Sequence, residues 1–184
     1  EMSTCQPPGS GRSQVPVLFE VFDTTVGPLT IAADDDGLRH IEFGTNRHPA
    51  SRDSWLPVDA SARPMVLRDT RLQLEEYFAG TRRTFDLPLS LHGSPFQVEV
   101  WRTLASIPYG RTWSYSELAR TIGKPLAVRA VGAANGRNPI PIVLPCHRVI
   151  GADGSLTGFG GGLPIKEALL RLEGARTRSE EHTS

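Results

Sequence analysis

Chemistry in this chain concentrates in one short string, Pro145-Cys146-His147-Arg148-Val149, which follows an apolar run, Ile140-Pro141-Ile142-Val143-Leu144. A lone cysteine after such a run reads by default as a small buried hydrophobe. Three neighbours favour a nucleophile instead: Pro145 restricts the backbone, His147 offers a base, and the charge of Arg148 favours thiolate. Adjacent residues of an extended strand point to opposite faces, so His147 reaches Cys146 only if the chain turns there or a water bridges them. A third group should then orient the imidazole. On the last helical segment, Ile165, Ala168, Leu169 and Leu172 define the apolar face. Glu173 lies about 80° from its centre and Glu167 about 160° away, so Glu173 is the expected partner of His147 and Glu167 faces water.

The elements that hold these groups divide into two stretches. From Val17 the pattern is strand-like, VLFEVFD, GPLTIAA and GLRHIEF, punctuated by Gly27-Pro28 and by Asp34-Asp35-Asp36-Gly37, which predicts an antiparallel meander. A helix follows over residues 64–79, with Leu67, Leu74 and Phe78 on one face and Gly80 at its end. TFDLPLS (84–90) reads as one more strand, at an edge because of Pro88. The acidic turn and the single histidines His40 and His48 read as ordinary surface.

The second stretch is helical. Ser94 and Gln97 form a capping box with Pro95 at the first position, and Phe96, Val100 and Leu104 line a helix over 95–106. Ser114 and Glu117 cap a second helix that ends near Gly123, and Pro125 opens a third through about Asn135. Two short helices around a Gly-containing turn fit a helix-turn-helix. On the third helix Ala127, Ala130, Ala133 and Ala134 cover one sector, with Arg129 about 40° from Ala133. That sector reads either as a close helix contact or as a face kept thin for a narrow groove, with one long cation to fill a gap among stacked bases.

The 20 basic and 20 acidic residues balance, but residues 94–150 hold seven basic residues against Glu99 and Glu117, a weak pointer to a polyanion. No apolar run approaches a membrane span, and the first fifteen residues lack the apolar core of a secretory signal. Two distant cysteines, Cys5 and Cys146, exclude a disulfide framework and a four-cysteine metal cage.

Together, the PCHRV string, Arg129-Ala130-Val131-Gly132, Asn138-Pro139 and the Gly-rich turn before the last helix resemble the O6-alkylguanine-DNA alkyltransferase family, bacterial type. That family is also called methylated-DNA–protein-cysteine methyltransferase. The similarity covers about residues 17–174 and is densest over 94–174. It implies an α+β fold: a small N-terminal antiparallel-sheet domain with a helix, RNase H-like, then a mostly α-helical, winged-helix-like domain with a helix-turn-helix. The expected division is a disordered tail (1–15), the first domain (16–92), the DNA-binding and active-site domain (93–174) and a second tail (175–184).

Residue by residue, the resemblance makes Cys146 the acceptor thiol, His147 its base through water and Glu173 the carboxylate that holds the base. Tyr115 matches the tyrosine that contacts a phosphate and protonates the departing guanine. Asn138 matches the hinge to the cysteine segment, and Arg129 the finger that replaces the flipped base. Ala127, Ala130, Gly132 and Ala133 would face DNA beside it. Val149, by its backbone, Phe159 and Gly160 would line the guanine pocket, with Phe159 standing where some relatives carry tyrosine. The implied partner is double-stranded DNA containing alkylated guanine, with O4-alkylthymine a second substrate. The implied protein is a cytoplasmic monomer with no membrane, no cofactor and no metal. Some relatives hold zinc in the first domain, where this chain has only Cys5.

Two other readings stand beside alkyl transfer. A sensor on the same scaffold would bind alkylated bases without repairing them, but such relatives lack the acceptor cysteine. A cysteine hydrolase using Cys146, His147 and Glu173 would leave the basic helix-turn-helix unexplained. Residues 178–184 (RSEEHTS) read like an in-frame translation of a sequencing-library adapter and are expected to be non-native.

Overall fold

The three strand-like segments fold as β1 (Val17–Thr24), β2 (Gly27–Asp34) and β3 (Gly37–Phe43), an antiparallel meander with β2 in the middle. The structure, a computed structural model, describes residues 15–46 and 49–175; His48, Cys5 and residues 178–184 lie outside these. Leu29 to Ala33 of β2 are all buried, because α1 (Met65–Phe78) covers one face of the sheet and Val17, Ala32 and Trp55 cluster on the other. A short strand the sequence did not announce, β4 (Trp55–Pro57), joins β1 in parallel, so the sheet is mixed, in the order β3-β2-β1-β4.

Residues 84–90 form no full strand. They touch β3 at one bridge, Leu38 to Leu89, where Leu38 N donates to Pro88 O and Ser90 N to Leu38 O, both at 2.8 Å. Pro88 has no N–H with which to extend the ladder. Gly37 makes this approach feasible: its φ is +145°, and a Cβ there would lie 2.4 Å from the carbonyl oxygen of Pro88. On α1, Leu67 and Leu74 are fully buried and Phe78 is half-buried, while the most deeply placed aromatic is Tyr77.

The second half begins with α2 (Pro95–Leu104), whose capping box is complete: Gln97 N donates to Ser94 Oγ and Ser94 N to Gln97 Oε1. Next come β5 (Trp113–Ser114) and α3 (Tyr115–Ile122), capped in the same way by Ser114 and Glu117 and closed by Gly123 at φ +84°. The third helix, α4 (Val128–Gly136), starts three residues later than Pro125 suggested, because Ala127 N donates to Lys124 O in a turn. The helices α2, α3 and α4 pack on one another, and Trp101 of α2 donates its indole N–H to Ala134 O at 2.8 Å. A strand pair, β5 with β6 (Val149–Ile150), sets Trp113 opposite Val149.

The last helix, α5 (Leu163–Leu172), turns a different face inward from the one its apolar residues outline. Lys166, Leu169 and Leu170 are buried and Ala168 is exposed. Buried side chains from both halves, from Phe22 and Leu74 to Val131 and Leu169, form one continuous apolar cluster. Among the described residues no helix is long and apolar enough to cross a membrane.

Candidate active site

Cys146 does not sit on an extended strand. Residues Cys146–Arg148 form a single 3-10 turn closed by Arg148 N donating to Pro145 O at 3.0 Å. The turn removes the alternation that would set Cys146 and His147 on opposite faces. Asn138 holds the approach to it, since Nδ2 donates to Leu144 O at 2.7 Å and Oδ1 accepts from Ile140 N at 3.0 Å. Between those anchors Ile142 is at φ +74°, a conformation a β-branched residue adopts only when its surroundings impose it.

Behind the turn lies a buried charge relay. Glu173, the residue that caps α5, accepts from His147 Nε2 at 2.6 Å, from Arg148 Nε at 2.7 Å and Nη2 at 3.1 Å, and from the Tyr77 hydroxyl at 2.6 Å. Burial alone would raise the Glu173 pKa, but the hydrogen bonds and charges of His147 and Arg148 bring it down to about 2. An ionised carboxylate only accepts, so Nε2 carries the imidazole proton and Nδ1 keeps a lone pair. Nδ1 is buried with no hydrogen-bond partner among the described residues. Burial, which disfavours the charged ring, lowers the pKa of His147.

Arg148 does not act on the thiol as its position in the sequence suggested. It is spent on Glu173 and on Ile107 O, which its Nη1 reaches at 2.7 Å. Burial instead pushes the Cys146 thiol up to about 11, opposed mainly by a hydrogen bond with Asn138 and by the charge of Lys166. Lys166 is fully buried, and its Nζ donates to Val149 O at 2.6 Å and Thr157 O at 3.2 Å. Desolvation lowers its own pKa to about 8.

Cys146 opens onto a pocket of about 160 Å³. Asn138, Phe159 and Gly160 line it together with Ile41 and Phe43 of β3. The rings of Phe43 and Phe159 meet at 5.6 Å, and Gly161 lets the loop come this close, since a Cβ there would lie 2.6 Å from the Phe43 ring. Tyr115 packs near Gly132 of α4 and shares a 2.7 Å hydrogen bond with Thr157 Oγ1. On α4, Arg129, Ala130 and Ala133 are exposed while Val131, Ala134 and Asn135 are buried. The alanine sector is thus a free face, less Ala134, which is committed to the core.

A nucleophilic thiol, a buried His–Glu pair and a thin helix face ending in one arginine are the arrangement to compare with known proteins. Two family models match, the 6-O-methylguanine DNA methyltransferase ribonuclease-like domain over residues 17–91 and the DNA binding domain of the same family over residues 95–175. The chain belongs to the 6-O-methylguanine DNA methyltransferase family. It is 46% identical over 158 residues to the methylated-DNA–protein-cysteine methyltransferase of Methanosarcina acetivorans, covering 85% of this chain and 98% of that one. It is 46% identical over 162 residues to the Mycobacterium tuberculosis protein of that name, covering 88% and 95% respectively. It is also similar to a crystal structure of Mycobacterium tuberculosis OGT in complex with DNA, at a TM-score of 0.78 and 47% identity, covering 85% of this chain and 92% of that one.

In this methyltransferase-family chain, Cys146, Asn138, Phe159 and Gly160 meet at the pocket, with His147 and Glu173 joined behind it. Val149 lies outside the pocket walls, buried, with its carbonyl bonded by Lys166. Tyr115, Gly132 and Thr157 form a neighbouring group, and Arg129, Ala130 and Ala133 share the free face of α4. Ala127, half-buried, lies at the helix entrance. Sequence reasoning missed Tyr77 and Lys166. Neither gave a readable signal: Lys166 lies off the stripe of Ile165, Ala168, Leu169 and Leu172, and the partner of Tyr77 is 96 residues away.

Proposed function

We propose that this protein repairs double-stranded DNA by moving the alkyl group from O6 of guanine, or O4 of thymine, onto Cys146 in a single irreversible turnover. The observation that carries the reading is the buried acceptor thiol at a pocket, backed by the His147–Glu173 pair with the imidazole lone pair left unbonded. A base inside a duplex is out of reach of such a thiol and has to be flipped out first. Arg129 takes the place of the flipped base, and the exposed Ala130 and Ala133 keep α4 thin enough to enter the groove.

The proton of Cys146 Sγ passes through a water to Nδ1 of His147, and Glu173 stabilises the imidazolium. The thiolate attacks the alkyl carbon; the S–C bond forms as the C–O6 bond breaks, and its electron pair stays with the guanine. Tyr115 donates a proton to the leaving base and Gly160 N–H meets the developing charge on O6. The base leaves as unmodified guanine and Cys146 remains as a thioether. No residue here can cleave that thioether, so one molecule acts once, without a cofactor. The same resemblance carries a cytoplasmic monomer, and the domain division 16–92 and 93–174.

The presence of Cys146 favours transfer over a binding-only sensor. Mixing the protein with a tenfold excess of O6-methylguanine duplex is expected to convert one equivalent of lesion and then stop. Continued conversion would indicate a hydrolase, and tight binding with no conversion a sensor.

A further inference from the structure

The mechanism above leaves unused a buried titratable group from the other half of the molecule. Tyr77 lies on α1, which otherwise packs against the sheet, and it is fully buried. Its hydroxyl reaches Glu173 Oε2 at 2.6 Å, the same oxygen that accepts from His147 Nε2 at 2.6 Å. Rings fix it from several sides: Phe78, Phe85 and Tyr109 lie at 5.3, 5.6 and 6.4 Å between centroids. Tyr109 in turn lies under the Arg148 guanidinium at 5.6 Å.

We propose that Tyr77 is a positioning residue for alkyl transfer, its hydroxyl fixing Glu173 Oε2 and moderating the charge that Glu173 presents to His147. The proposal rests on the alkyl-transfer reading and extends it to the N-terminal half. Burial and the nearby Glu173 charge both raise the Tyr77 pKa, so the phenol stays a donor throughout the working range. A hydrogen bond into a carboxylate draws negative charge away from its other contacts. Without it, Oε2 would concentrate its charge on His147 and favour the imidazolium. A ring already protonated cannot take the proton of Cys146.

Other charged groups around His147 act in the same balance. Glu173 and Lys166 reach it from α5 and its cap, and Cys146 and Arg148 flank it within the turn. Both of these cations are committed, Arg148 to Glu173 and Lys166 to backbone carbonyls. Tyr77 is the neutral donor that completes the coordination of Glu173.

The test is the single-turnover rate of methyl transfer at saturating O6-methylguanine duplex, followed from about pH 6 to about pH 9 in Tyr77→Phe and in wild type. The acid limb is expected to move up by about half to one unit, giving a rate near neutrality lower by about three- to tenfold that recovers at alkaline pH. DNA affinity should stay within about twofold. Leu74→Ala, on the same helix and equally buried, supplies the packing control: it lowers the melting temperature and leaves the pH profile in place. Fluorotyrosine at position 77, a stronger donor of nearly unchanged shape, should move the acid limb the other way. It remains decisive if Tyr77→Phe folds poorly. A pH-independent deficit shared with Leu74→Ala, or no displacement with fluorotyrosine, would overturn the proposal. No transfer by wild type at any pH would instead overturn the functional reading.

Discussion

Glu173→Gln removes one charge and keeps the side-chain shape, and the structure sets the size of the consequence. In wild type the carboxylate compensates the buried Arg148 guanidinium, which donates twice to it and stacks over Tyr109. Taking away one partner of a buried ion pair typically costs about 3–5 kcal/mol, because the other charge stays desolvated. The pKa gives a second route to the same number. Held at about 2 against 4.5 for a free glutamate, the carboxyl stabilises the fold by about 3 kcal/mol at neutral pH. The folded pKa is the depressed one, so this stability is fully present above about pH 4.5 and is lost as pH falls towards about 2. Denaturant unfolding of both proteins at a series of pH values measures the gap. It should be about 3–5 kcal/mol at pH near 7, roughly 6–20 °C in melting temperature for a chain of this size, and should close as wild-type Glu173 protonates. A gap under about 1 kcal/mol, or one that stays constant into acid, would refute the reasoning.

Further outcomes follow from the same geometry. Asn138→Ala removes both anchors of the positive-φ turn at Ile142 and should destabilise the protein by about 2–4 kcal/mol, read by urea unfolding, with slower alkylation of Cys146. Lys166→Met removes the cation that opposes burial of the thiol, so alkylation of Cys146 by iodoacetamide should be slower than in wild type at neutral pH, with the difference narrowing as pH rises past about 8, where wild-type Lys166 loses its charge. Arg129→Ala, at an exposed position, should leave the melting temperature within about 1 °C while slowing methyl transfer from duplex DNA more than from free O6-methylguanine base.

Much of this arrangement was written locally, and what was local could be read. Both capping boxes lie three residues apart in the chain, and Gly123 ends α3 as its type demands. The meander is punctuated by its own turns. Glu173 emerged because helical geometry alone separates it from Glu167. What escaped depends on partners far along the chain. Strand β4 is three residues long and owes its existence to β1 beside it. The 3-10 turn at Cys146–Arg148 has no composition of its own; it is imposed by the bonds of Asn138 and the pull of Glu173 on His147 and Arg148. On α5 the apolar residues misled about the buried face. Two of its inward groups, Lys166 and the capping Glu173, are charged and count against burial in any hydrophobic pattern. Tyr77 was passed over for Phe78 for a related reason, since only its contact with Glu173 distinguishes it.

The central claim is that Cys146 itself becomes the alkyl acceptor. Intact-protein mass after mixing with one equivalent of O6-methylguanine duplex tests it most directly, with Cys146→Ala alongside. The account predicts a gain of one methyl that saturates at one per protein and is absent from the variant. A gain that persists in Cys146→Ala, or lesion lost from the DNA with no gain on the protein, would contradict it.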